Sequence, residues 1–151
     1  MKVAPVVHGS FTITRTFNAS VERAFAAWAD PEWKARWFVG PSTWKPIQRK
    51  MEFKVGGQEI VEGDFGTATS LFVARYHVIV PNQLIIYDYD MHHSGRYLSL
   101  SIATVEFEPT KNGGSKMTFT EQGAFLDAEF GIESRKQGTE GLLEQLANVL
   151  A

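Results

Sequence analysis

Phe72-Val73-Ala74-Arg75-Tyr76-His77-Val78-Ile79-Val80, then Pro81-Asn82, then Gln83-Leu84-Ile85-Ile86-Tyr87-Asp88-Tyr89 is the stretch on which the fold turns. Phe72, Ala74, Tyr76, Val78 and Val80 alternate with Arg75 and His77, the period of two that belongs to a strand with one buried face. Pro81-Asn82 is turn chemistry, because proline presets φ and asparagine tolerates the left-handed region. A two-residue turn there sets Val80 opposite Gln83, Tyr76 opposite Tyr87 and Ala74 opposite Tyr89, all on one face. The same register sets Arg75 opposite Asp88 on the other face. A slip of one residue would bury both charges, so the pair supports the register.

The pattern continues on both sides. From Thr43 to Gln122 the period is two and the turns are short, which predicts an antiparallel meander. Met51, Phe53 and Val55 alternate with Glu52 and Lys54 up to a tight turn at Gly56-Gly57. Ile60 to Phe65 reads as a weaker strand. Tyr97 to Phe107 and Ser115 to Gln122 form a last hairpin through Asn112-Gly113-Gly114, with Val105, Phe107, Met117 and Phe119 inward. Ahead of the meander, Ser10 to Phe17 reads as a strand, and Asn18-Ala19-Ser20 caps a helix carrying Val21, Ala24, Phe25 and Trp28. Asp30-Pro31 ends it and opens a second, short helix with Trp33, Trp37 and Phe38, stopped by Gly40-Pro41. At the other end Thr139, Leu142, Leu143, Leu146, Val149 and Leu150 recur at i, i+3, i+4 and i+7, an amphipathic helix. Gly138 and Gly141 weaken that helix unless something must approach it closely.

One strand, two short helices, a run of strands and one long terminal helix predict an α+β fold in which a curved sheet wraps the helix. Several stretches also resemble a known family: Trp28-Ala29-Asp30-Pro31-Glu32 leading to Arg36-Trp37-Phe38, then Glu52 to Gly57, Thr118 to Gly123, and Gly138-Thr139-Glu140-Gly141-Leu142-Leu143. Together they are similar to the START-like (SRPBCC, Bet v 1-like) superfamily. Within it they resemble the branch of proteins like the C-terminal domain of the activator of the heat-shock protein 90 ATPase. The resemblance runs from Phe11 to Leu150 and implies the helix-grip fold with a cavity between sheet and helix. It also implies a choice of roles, since such proteins include lipid and sterol carriers, polyketide cyclases and antibiotic-sequestering proteins. Where members of the family carry an Asp and an Arg before the glycine turn, this chain has Glu52 and Lys54. The chaperone-stimulating role belongs to a larger protein with an additional N-terminal domain, so it transfers poorly.

Composition narrows the function. The length of 151 residues with 44% apolar content suits one domain over 1–151 with a sizeable core. A net charge of -2, scattered along the chain, offers no basic stripe for nucleic acid. The absence of cysteine removes disulfides, thiolate metal sites and a thiol nucleophile. No apolar run is long enough for a membrane span, and Met1 to Ser10 lacks a signal-peptide pattern, so no membrane partner and a cytoplasmic location are expected. Asp88, Asp90 and His92 alternate on one strand face and could present metal ligands, but the register turns that face outward and no metal is expected. His92-His93 and nearby serines lack a nucleophile elbow, and both Gly-Gly pairs lie between strands, away from any phosphate-binding strand-to-helix turn.

Glu121 is the most informative position. It shares parity with Met117 and Phe119, so an inward face brings a carboxylate indoors, where it must be hydrogen-bonded, paired or protonated. The other reading sets it at the open end of the strand. Tyr76, Tyr87 and Tyr89 are either core or the lining of a partly polar pocket, since buried hydroxyls need partners. Trp37, Phe53, Tyr76, Tyr87, Tyr89, Phe107, Phe119 and Glu121 are therefore the candidate ligand-binding set. The leading expectation is a binding protein for a small hydrophobic or aromatic molecule, with no catalytic residue and no cofactor. A cyclase- or hydrolase-type enzyme using Glu121 and a tyrosine, and a protein-interaction or chaperone-associated module, are the alternatives. A homodimer is one arrangement to test.

Overall fold

The central hairpin forms with the predicted tyrosine register, but by a different route. The structure, a computed structural model, describes residues 5–127 and 129–151. In it β4 (Thr69–Val80) pairs with β5 (Leu84–His93), setting Tyr76 opposite Tyr87, Ala74 opposite Tyr89 and Arg75 opposite Asp88. The turn holds three residues, Pro81 to Gln83, with Asn82 at φ 63, and Val80 faces Leu84 where Gln83 was expected. A bulge at His77, between Tyr76 and Val78, absorbs the extra residue and flips the strand's faces beyond it. Val78 and Val80, expected beside Tyr76, are consequently 37% exposed each, while Ile79 packs on the core and Ile85 lies within it. The bulge also supplies a different partner for Asp88. Its carboxylate bonds to the His77 imidazole, and Arg75, although its register partner, forms no ion pair among the described residues.

Around this hairpin the seven strands form one antiparallel sheet in the order β1-β7-β6-β5-β4-β3-β2. The flanking members are β1 (Val7–Phe17), β2 (Lys45–Met51), β3 (Gln58–Asp64), β6 (Arg96–Pro109) and β7 (Ser115–Phe125). β2 ends earlier than its alternation predicts. Glu52 to Gly57 leave the ladder in a loop closed by Gly57 N–H to Lys54 O, so Val55 is exposed and Phe53 only half-buried. A Cβ on Gly57 would collide with the Glu52 carbonyl oxygen, which is why glycine stands there. Glu52 and Lys54 themselves pair at 3.3 Å in the open, an arrangement worth little to stability.

Three helices cover the inner face. Ser20 caps α1 (Val21–Ala29) by accepting the Arg23 N–H at 3.2 Å, and Asp30 caps α2 (Pro31–Trp37) by accepting the Glu32 N–H at 2.9 Å. The terminal helix α3 (Ile132–Leu150) packs against β1, α1 and α2 and buries Thr139, Leu143, Leu146 and Leu150. Alternate strand residues meet them from the sheet, among them Ile13, Tyr87, Val105, Met117 and Phe119. No helix among the described residues is long and apolar enough to cross a membrane.

Candidate functional site

Between the inner face of the sheet and α3 the packing leaves a cavity of about 470 Å³. Much of its wall is aromatic: Trp28 and Trp37 come from the short helices, and Phe72, Tyr87, Tyr89 and Phe119 from β4, β5 and β7. α3 contributes Thr139, Leu142 and Leu143, and also Gly138 and Gly141. A Cβ added to either glycine would meet nothing within 4 Å, so no protein backbone needs the close approach that glycine permits. Both glycines line the cavity and are solvent-exposed, so they stand at its open edge.

One polar cluster is set into this wall. Glu121, 1% exposed, faces inward from β7 together with Met117 and Phe119, as its parity predicts. The Tyr89 hydroxyl lies 2.7 and 2.8 Å from its two oxygens, and the Ser101 hydroxyl donates at 2.7 Å. From α3, Arg135 donates Nη1 to Glu121 at 3.1 Å and to the Tyr89 oxygen at 2.9 Å, and Nη2 to Ser99 Oγ at 2.6 Å. Burial, and then the negative charge of Glu121, push the Tyr89 phenol far above its ordinary value, with Arg135 opposing. Tyr89 therefore remains a neutral hydrogen-bond donor.

A second cluster lies behind the aromatic layer. Lys34 Nζ is 2.6 Å from Glu59 Oε1, both side chains 1% exposed, and the Tyr76 hydroxyl donates to the same oxygen at 2.7 Å. The ammonium also sits 4.6 Å from the Phe38 ring centroid and 5.3 Å from that of Trp28. Burial lowers the Lys34 amine from its ordinary value, and Glu59 works against that shift.

Of the eight candidate residues, Trp37, Tyr87, Tyr89, Phe119 and Glu121 are on the cavity wall. Phe53, Tyr76 and Phe107 are off it. Phe53 and Phe107 pack on Phe25 of α1, at centroid distances of 5.8 and 5.5 Å, and Tyr76 packs on Phe53 at 4.9 Å. Strand parity identifies the inner face but not which end of it a helix fills, and α1 fills this end. Along β5, Asp88, Asp90 and His92 keep one parity, with the Asp88 carboxylate bonded to His77 and the His92 ring 4.5 Å from that of Tyr97. No cluster of three or more His, Asp or Glu side chains suited to a metal occurs among the described residues.

Sequence reasoning missed Arg135, Lys34, Glu59, Ser99 and Ser101. Signals for them existed. Arg135 extends the α3 stripe of Thr139, Leu143, Leu146 and Leu150 back by one turn, and Lys34 shares a face with Trp37 at i+3. Ser99 and Ser101 share parity with Val105 and Phe107, and Glu59 shares it with Val61.

Comparison with known proteins places this architecture. The sequence model of the family described as "Activator of Hsp90 ATPase homolog 1-like protein" matches residues 18–151. The chain belongs to that family, and its sheet and terminal helix have the START-like arrangement. A protein from Rhizobium loti of known structure is 37% identical, with 97% of this chain and 100% of that one covered and a TM-score of 0.89. A Rhizobium leguminosarum protein is likewise 37% identical at a TM-score of 0.89, covering 97% of this chain and 96% of its own. A protein from Arthrobacter aurescens, 24% identical over 99% of this chain and 92% of its own, shares the fold at a TM-score of 0.76. No curated protein matches the chain.

Proposed function

We propose that the protein binds a small, largely apolar molecule in the cavity between sheet and α3 and does no chemistry on it. The observation that carries this reading is the cavity itself: about 470 Å³ of space walled mainly by aromatic and aliphatic side chains, with one polar cluster. That size and lining suit a ligand of two or three rings. Support for binding over catalysis comes from Glu121. Both its oxygens already accept hydrogen bonds from Tyr89, Ser101 or Arg135, which leaves it poorly placed to take a proton from a substrate.

The test is equilibrium titration with N-phenyl-1-naphthylamine, an uncharged probe whose fluorescence rises in apolar surroundings. One saturable site per chain is expected, and Leu142→Trp, which adds an indole at the half-buried wall of α3, should abolish it. Failure to bind, or binding unchanged by Leu142→Trp in a folded variant, would remove the cavity as the site.

A further inference from the structure

The two charged side chains on the cavity wall are matched with each other. Glu121 and Arg135 are the only charged side chains on its wall among the described residues, and they neutralise one another at 3.1 Å. Behind the wall Lys34 pairs with Glu59 at 2.6 Å, and the half-buried Arg49 beside them gives its guanidinium to the Phe38 carbonyl. The histidines that reach the wall are engaged with rings, His92 against Tyr97 at 4.5 Å and His93 against Phe130 at 4.8 Å. A charged ligand would enter this space without a counter-charge, and an uncompensated buried charge is among the most costly arrangements a protein can hold.

Hydrogen bonding on the same wall is, by contrast, incomplete. Tyr76 and Tyr89 give their hydroxyls to Glu59 and Glu121. Tyr87 stands between them on the sheet, is 3% exposed and lines the cavity, yet its hydroxyl has no hydrogen-bond partner among the described residues. It is not one of the sealed, unpartnered atoms either, so the hydroxyl opens onto the cavity. Burial and the neighbouring Tyr89, Glu121 and Glu59 raise its phenol well above the ordinary value, which keeps the donor proton in place. Trp28 Nε1 and Gln145 Oε1 also lack partners, but both are sealed in the packing and out of a ligand's reach. A buried polar group lacking a partner is uncommon in a folded protein unless something else supplies one.

We infer that the cavity selects an uncharged, mostly apolar ligand bearing a hydroxyl or carbonyl, and that the Tyr87 hydroxyl is the group that reads it. This rests on the cavity-binding reading above and adds the ligand's charge and polar group. Tyr87 sets specificity here, whereas Glu121 and Arg135 act by cancelling charge.

Two matched probe pairs test it. N-phenyl-1-naphthylamine and 8-anilino-1-naphthalenesulfonate share one ring system and differ by a sulfonate. The neutral probe should bind wild-type protein at least about tenfold more tightly, since Arg135 on the wall is already paired. Glu121→Gln uncovers Arg135, so the sulfonate should gain roughly tenfold relative to the neutral probe. The second pair is naphthalene and 2-naphthol, each used to displace the neutral probe. Tyr87→Phe keeps the ring, and the ratio of their affinities should shift against 2-naphthol by roughly fivefold, the scale of one hydrogen bond. A sulfonate that binds wild-type protein as well as the neutral probe overturns the inference, as does a naphthol ratio untouched by Tyr87→Phe in a folded variant. Those results leave cavity binding intact. No binding of the neutral probe at all brings down both.

Discussion

Lys34 on α2 and Glu59 on β3 form an ion pair of 2.6 Å in which neither side chain is more than 1% exposed. The pair joins the short helix that carries Trp37 to β3, the strand next to the edge strand β2, with the Tyr76 hydroxyl as a third member. Two charges removed from water recover their hydration only through each other, so the pair's net worth is small although each member alone would be costly. Its geometry fixes where α2 lies, and with it the Trp37 and Phe38 rings on the cavity wall.

Removing one member should therefore be far worse than removing both. Glu59→Gln or Lys34→Met is expected to cost ~3–5 kcal/mol in a urea melt, because the surviving charge stays buried without a partner. The double variant Lys34→Met with Glu59→Leu should recover most of that loss. Additive losses in the double variant would show that the two charges are not coupled and would overturn this account.

Gly138 and Gly141 occupy the middle of α3, where each costs about 1 kcal/mol relative to alanine. Since a Cβ at either meets no protein atom within 4 Å, Gly138→Ala with Gly141→Ala should stabilise the fold by ~1–2 kcal/mol. The same methyl groups intrude on the cavity, so affinity for N-phenyl-1-naphthylamine should fall as the melting temperature rises. If stability and affinity rise together, the glycines do not serve the cavity.

The features legible in the sequence were those written in a period. Alternation placed Tyr76, Tyr87 and Tyr89 on one face and turned Glu121 inward, and helical spacing placed Leu146 and Leu150 against the sheet, although Leu142, expected beside them, is half-buried and Leu143 is the buried neighbour. The bulge at His77 was hidden because it and the three-residue turn compensate each other, leaving Tyr76 opposite Tyr87 as a plain two-residue turn would. Phe53 and Phe107 have inner-face parity or close to it, but their distance from the cavity depends on where Phe25 of α1 docks, a tertiary fact. Arg135, Lys34 and Glu59 were passed over because charge ordinarily marks solvent, and only their partners across the fold make burial tolerable.

The tyrosines give a prediction that needs no ligand. The chain has four, and all have phenols raised above the ordinary value of 10. For Tyr76, Tyr87 and Tyr89 burial is the largest cause and lifts them far beyond the accessible range. Tyr97, 40% exposed, is pushed up to about 12 by partial desolvation and by Asp90. An absorbance titration at 295 nm should therefore show Tyr97 alone ionising while the fold lasts, with a midpoint near 12. The other three should appear together as the chain unfolds. Stability follows with a definite sign. Above pH ~10 the unfolded chain releases phenolic protons that the folded chain retains, so the folded state binds more protons and loses stability as pH rises. Below pH ~10 both states keep these protons and the contribution is fully present. Urea midpoints should thus decline steadily above pH 10, and Tyr87→Phe should flatten part of that decline. Three or four tyrosines titrating near pH 10 in a protein that is still folded would show that the hydroxyls are reached by water, and the closed aromatic wall would have to be abandoned.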